Sequence, residues 1–432
     1  MLRTRRVAII GLILVWSALI TLVFRSAEQN VKAIPMFARR LGVSCATCHT
    51  SPPRLNETGY NFRAAGFRMP EEIGKTPEKR PFKFGDHAGV RIQLRWDEGR
   101  FEDELVKTKH HFDLFAAEGY FLYEPWGKHL SSNIKLTIYP EDFHDTEGHE
   151  RLEGNLKFVY GSAKHFFEIR GGVPHPMEGY GASDVAVSDT RPYFQEQPVN
   201  FNQSTLFTPW NFHQAAVTAG YYQGRTTIRA LLLEGIRASP DENSELGAFG
   251  RKEPFSKSVP FARHTTPDLQ VFVNRILNSN AGGVSFYYYR GNVTLPILDP
   301  TGKEIANSSF QNFFDRMAFY GSYPIKRLTL FGGAERGSDA IAQGGRFTSF
   351  GAYGEAAVTA INDLTQIGVR YDWFDPSRNK ADNRVQGVTV YINAWARDTF
   401  RFVGEYRHLN LKQGLLADRK NDEFQLRLIY IK

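Results

Sequence analysis

Val388-Thr-Val-Tyr-Ile-Asn393 alternates two kinds of side chain. Successive residues of an extended chain point to opposite faces, so Val388, Val390 and Ile392 share one face and Thr389, Tyr391 and Asn393 the other. The same beat recurs upstream. Ile228, Ala230 and Leu232 alternate with Arg229, Leu231 and Leu233, and Leu328 and Leu330 with Thr329 and Phe331. Phe286 and Tyr288 interleave with Tyr287 and Tyr289. Beyond the N-terminus no stretch is apolar enough for a membrane helix. Aromatic residues make up 14% of the chain. A chain rich in aromatics, polar on average and alternating strand by strand reads as a transmembrane β-barrel, because its lipid and lumen faces cancel in a hydropathy average.

Strands are expected near 84–97, 108–123, 130–139, 152–160, 164–173, 211–222, 224–235, 268–277, 282–291, 312–322, 326–334, 348–360, 363–374, 385–397, 399–409 and 422–431. That is about sixteen, an even number as bacterial barrels require. The connections alternate in length. Residues 98–107, 140–151, 174–210, 236–267, 292–311, 335–347, 375–384 and 410–421 are long, and the intervening links are short. A barrel with short periplasmic turns and long outer loops shows this order, with the first connection long, and a soluble sandwich has no reason to keep it. The fold class is therefore an all-β transmembrane antiparallel barrel over 84–432. Phe424, Leu426, Leu428 and Tyr430 form an outward row in the last strand, although the chain ends on Lys432 rather than on an aromatic residue.

The N-terminus has a different character. Arg3, Arg5 and Arg6 precede an apolar run from Val7 to Phe24, and Val31-Lys-Ala33 offers compact residues at the usual cleavage offsets. This reads as an export signal over 1–33, with an uncleaved anchor as the alternative given the length of the run. The formal charge of +7 includes five cations and one acid of this leader, so the remainder carries +3, too little to indicate nucleic-acid binding.

The chain has two cysteines, in Cys45-Ala-Thr-Cys48-His49. A lone pair in an exported protein can form a disulfide, and Cys-x-x-Cys can be a redox pair in a βαβ setting, but no such setting surrounds it. Followed by His, the spacing is that of c-type haem attachment. Both thiols reach vinyl groups of one porphyrin while the imidazole of His49 reaches its iron as proximal ligand. One covalent haem c is therefore expected in a small, partly helical segment over 34–83. Met69 is the candidate distal ligand, since a downstream Met closes the iron and raises its potential. Met36 and His87 are its rivals.

Around the motif stand Pro35-Met-Phe-Ala-Arg39, Gly42, Pro53, Leu55, Asn56, Gly59, Phe62 and Gly66. This pattern over 34–70 resembles the haem segment of the fused outer-membrane monohaem cytochrome–porins, the family that includes the iron-oxidising outer-membrane cytochromes. The resemblance implies thioether roles for Cys45 and Cys48, a proximal role for His49, electron-transfer oxidoreductase activity and ferrous iron as the extracellular donor. A segment this small gains from barrel walls around it, so it is expected in or against the periplasmic mouth.

The long link Pro140-Glu-Asp-Phe-His-Asp-Thr-Glu-Gly-His-Glu150 gathers Glu141, Asp142, His144, Asp145, Glu147, His149 and Glu150. Carboxylates with imidazole suit a divalent metal such as ferrous iron. A solvated polar loop is the plainer reading. His110 and His111, adjacent in a strand, face opposite ways and do not chelate together. No phosphate loop and no hydrolytic arrangement stands out.

The expected function is an outer-membrane cytochrome–porin. It passes electrons from an extracellular donor, ferrous iron by resemblance, through one haem to a periplasmic carrier such as a c-type cytochrome. The alternatives are a diffusion porin for a polar solute, with the segment as plug or redox sensor, and a periplasmic carrier held by its N-terminus.

Overall fold

In the computed structural model, residues 36–44, 47–51, 54–77, 84–101, 109–139, 149–173, 192–196, 215–234, 267–279, 282–298, 304–341, 344–360, 364–378, 383–396, 399–412 and 419–431 are described. The export signal, Cys45, and Glu141, Asp142, His144, Asp145 and Glu147 of the acidic run lie outside them.

A two-stranded hairpin, β1 (His49–Ser51) and β2 (Arg54–Leu55), belongs to the N-terminal segment. Sixteen strands follow: β3 (Ala88–Phe101), β4 (Lys109–Trp126), β5 (Leu130–Tyr139), β6 (His149–Ser162), β7 (His165–Val173), β8 (Ala216–Gln223), β9 (Thr226–Leu233), β10 (Asp268–Ile276), β11 (Gly283–Leu298), β12 (Glu304–Ile325), β13 (Leu328–Ala340), β14 (Arg346–Ala360), β15 (Thr365–Asp375), β16 (Val385–Ala396), β17 (Phe400–Leu411) and β18 (Arg419–Ile431). Each pairs antiparallel with its sequence neighbour, and β18 pairs with β3 from Asn421↔Phe101 to Ile431↔Arg91, so the sheet closes into a barrel. Ala88 pairs with Phe121 near the end of β4, which puts the start and the end of the barrel chain at the short-turn mouth.

The alternation of the opening hexapeptide is realised in β16. Val388 and Val390 are 40% and 47% exposed, while Thr389 and Asn393 are fully buried. The inversion is general. Leu156, Phe167, Ile169, Val217, Phe319 and Tyr371 look outward. Arg170, Arg229, Glu168, Arg316, Glu335 and Arg370 look inward and are buried. A water-soluble protein would bury the first set and expose the second. This surface is solvated by lipid tails.

All sixteen expected strands are present, and the main departures are at their ends. The long link expected over 335–347 shrinks to 341–345, because β13 runs on to Ala340 and pairs it with Arg346 of β14. The long link expected over 292–311 is mostly strand, because β11 and β12 run on as a hairpin paired from Gly283↔Ser322 to Leu298↔Glu304. The strand expected from residue 84 begins at Ala88, after a helical turn over Phe84–His87.

Val390→Arg places a charge on the lipid face and should lower unfolding free energy in lipid vesicles by about 2–4 kcal/mol if it lies near the bilayer midplane. Val390→Leu should leave it nearly unchanged. Denaturant titration followed by tryptophan fluorescence measures both.

Candidate functional site

The segment over 36–77 is built from a helix at Met36–Leu41, the β1–β2 hairpin, a helix at Glu57–Ala64 and a 3₁₀ turn at Pro70–Glu72. Asn56 sets its local geometry. Its side chain caps the second helix by accepting from the Gly59 N–H at 3.0 Å, while its Nδ2 donates to the Thr47 carbonyl at 3.1 Å and its backbone N–H to the Cys48 carbonyl at 2.8 Å. One residue thus starts the helix and fixes the backbone of the cysteine-histidine turn. Gly59 is there for space, since a Cβ would meet the Cys48 carbonyl oxygen and, at 2.8 Å, Leu55 Cδ2.

The barrel wall holds this segment inside the short-turn mouth. Tyr60 packs with Ile276, Phe331, Ala357 and Tyr391, and Ala64, Ala65 and Ile73 pack with Val159, Phe166 and Tyr222. Phe37 stacks on Phe67, centroids 5.4 Å apart, and Phe67 lies 5.1 Å from Tyr123 of β4. Arg54 donates to Thr329 Oγ1 at 2.8 Å. Arg68 donates to the carbonyls of Gly127 and Leu130 at 3.0 and 2.6 Å. Burial pulls the Arg68 guanidinium down to about 10, with Glu72 opposing the shift. Lys157 reaches from β6 to the carbonyls of Arg63 and Ala64 at 3.1 and 3.3 Å, a cation at the C-terminal end of the second helix, where the helix dipole favours one. Glu57 pairs with Arg225 at 2.9 Å.

Further side chains pack against the wall inside the lumen. Residues 192–196, from the long β7–β8 connection, carry a helical turn at Tyr193–Glu196. Phe194 is fully buried against Gly351, where a Cβ would meet its ring at 2.7 Å, and Gln195 Nε2 donates to Tyr320 Oη at 2.7 Å. Tyr287, Tyr289, Phe314 and Phe374 complete this packing. Arg316 and Arg370, which face inward, are fully buried and paired with Asp339 and Asp372 at 2.8 and 3.0 Å.

Cys48 and His49 occupy the turn and first strand of the segment, and Cys48 forms no disulfide. Burial pushes the Cys48 thiol up. A partly buried thiol followed directly by His, on a backbone locked by Asn56 and Gly59, fits the donor set of a covalent porphyrin. Met69 caps the 3₁₀ turn through its own N–H, which donates to Glu72 Oε2 at 2.8 Å. Met36 is buried in the segment. His87 Nδ1 lies 2.5 Å from Glu124 Oε2. His149, read above as part of a loop, instead opens β6 opposite Tyr139. Among the described residues no group of three or more His, Cys, Asp or Glu can hold a metal ion.

No protein-family model matches the chain, and no curated protein matches it. Solved structures do. An anion-selective porin from Comamonas acidovorans matches with TM-score 0.53 at 10% identity, covering 79% of this chain and 98% of its own. The outer-membrane channel DcaP of Acinetobacter baumannii gives 0.50 at 11% identity, covering 82% and 100%. Salmonella typhi OmpF, solved with daunomycin, gives 0.51 at 11% identity, covering 80% and 97%. The protein is an outer-membrane β-barrel of porin architecture, embedded in the bacterial outer membrane.

Asn56→Ala should destabilise the segment by about 0.5–2 kcal/mol, the usual loss for a helix cap. The outcome to measure is faster proteolysis within 36–77 while the barrel stays intact on a heat-modifiable gel. Because burial raises the Cys48 thiol, less thiolate is present at a given pH. In porphyrin-free Cys45→Ala protein, alkylation of Cys48 near pH 8 should therefore run slower than that of free cysteine.

Proposed function

We propose that this barrel is an electron-transfer protein of the cytochrome–porin kind, moving electrons between an extracellular donor and a periplasmic carrier. The observation that carries the reading is the Cys45-x-x-Cys48-His49 sequence motif, whose described segment is seated by wall contacts in the short-turn mouth. Cys45 and Cys48 would hold a haem c by thioethers and His49 would bind its iron, with Met69 as the distal candidate. When bound, the group supplies one-electron chemistry. The chain's own residues position it and exclude water. Asn56 and Gly59 fix the turn, Arg54, Arg68 and Lys157 dock the segment, and Phe194 with the lumenal tyrosines closes the space above. The hydrocarbon core is about 30 Å thick, so one redox group does not wire across it and the barrel must bring a donor close. Ferrous iron is the donor suggested by the resemblance over 34–70, and the acidic run at 141–150 is the candidate place to concentrate it.

A second reading has its own support. The solved structures that match include a porin and an outer-membrane channel, in keeping with a diffusion porin for a polar solute, the segment then being a plug or redox sensor.

Two measurements separate the readings. Ferrous iron added to the oxidised protein should reduce the haem promptly, as seen by absorbance. Planar-bilayer conductance should stay low in the parent and rise in Phe194→Ala, which empties the space against Gly351. Open conductance in the parent with no haem reduction would establish the diffusion porin instead.

A further inference from the structure

The short turns carry a charge pattern that the barrel does not need for its fold. In the described turns the charged residues are Lys128 between β4 and β5, Lys164 between β6 and β7, Arg225 between β8 and β9, and Lys326 with Arg327 between β12 and β13. All are cations, and all are exposed.

These cations form a collar at part of the rim of the mouth that holds the cysteine-histidine turn. Glu57 donates its backbone N–H to the Ser279 carbonyl of the β10–β11 turn at 3.3 Å and pairs with Arg225. Asn56, one residue earlier, holds the backbone of Thr47 and Cys48. Thr47, Cys48 and His49 are themselves partly exposed. The collar and the motif therefore share one surface.

We propose that this collar is a docking surface for a soluble protein with an acidic face, which meets the barrel at the motif. The inference rests on the electron-transfer reading for its purpose, but the electrostatics stand on the turns themselves. Lipid is the other polyanion near a barrel. The aromatic side chains Trp126, Tyr160 and Tyr323, exposed on the outer surface at strand ends, mark the level where lipid headgroups lie. Lys128, Lys164 and Lys326 follow them in the chain, in the turns that close the strands. A lipid sheet reaches the flank of such a collar but does not cover its mouth. A soluble protein does both, and a cluster of exposed cations steers it there at a rate that falls as salt is added.

The test uses the folded barrel in detergent and fluorescein-labelled poly-L-glutamate as the acidic probe, read by fluorescence anisotropy. Binding is expected at low ionic strength and should weaken steeply as salt is added. The double variant Lys326→Glu with Arg327→Glu should bind about tenfold or more weakly. Arg336→Glu, exposed on the outer surface of β13 toward the other end, should bind as the parent does. Equal binding by parent and double variant overturns the proposal, and so does an equal loss in Arg336→Glu. Transfer to nanodiscs gives the lipid outcome. Binding that survives in phosphatidylcholine but vanishes in phosphatidylglycerol assigns the cations to headgroups and overturns the docking surface. The anisotropy needs no porphyrin. Absence of covalent haem with probe binding intact would therefore sink the electron-transfer reading and leave the collar standing.

Discussion

Lipid tails offer no hydrogen bond, so every backbone donor and acceptor at membrane depth must find its partner within the protein. A sheet meets this demand only by closing on itself. The seam between β18 and β3 removes the last open edge, and the rest of the molecule follows from that closure. Once the ring is shut, each strand has one face in lipid and one in the lumen. Side-chain polarity must then switch at every residue. Val390 and Thr389 are neighbours in sequence and sit in different solvents.

The inner face answers a second demand. Inward charges that are buried from water are met in pairs and clusters. Arg91 binds Glu118 through two nitrogens, and Lys135 lies 3.3 Å from Glu118 and 3.0 Å from Glu153. Lys157 and Arg229 share Glu168 at 3.1 and 2.9 Å. Buried pairs of this sort add little net stability, but losing one partner is costly. They fix where the N-terminal segment can rest, since Lys157 is committed both to Glu168 and to the helix end.

The barrel was legible because its signal is local and repeated. Period-two polarity and the alternation of long and short links are both visible without knowing any contact. The reading failed where the lipid ends. Residues 293–298 and 304–311 lie beyond the band in which the outer face must be apolar, so Asn307-Ser-Ser309 reads as loop although it is strand. The cysteine-histidine motif was legible through its spacing. Asn56 and Gly59 stood in the pattern around it, but only the fold gives them a task. The burial of Phe194 was not legible. Its one trace is an aromatic pair, Tyr193-Phe194, inside a long polar link, and its target Gly351 is remote in sequence. Nor did the sequence place Met69, whose position relative to His49 depends on the path of the whole segment.

The start of β3 and the N-terminal segment lie at the same mouth, with only residues 78–83 between Thr76-Pro77 and the helical turn at Phe84. The segment is thus a cork on a short leash, tied to the rim it closes. Its way in is the mouth where the barrel chain begins and ends, so no strand has to thread the bore for the seat to be taken.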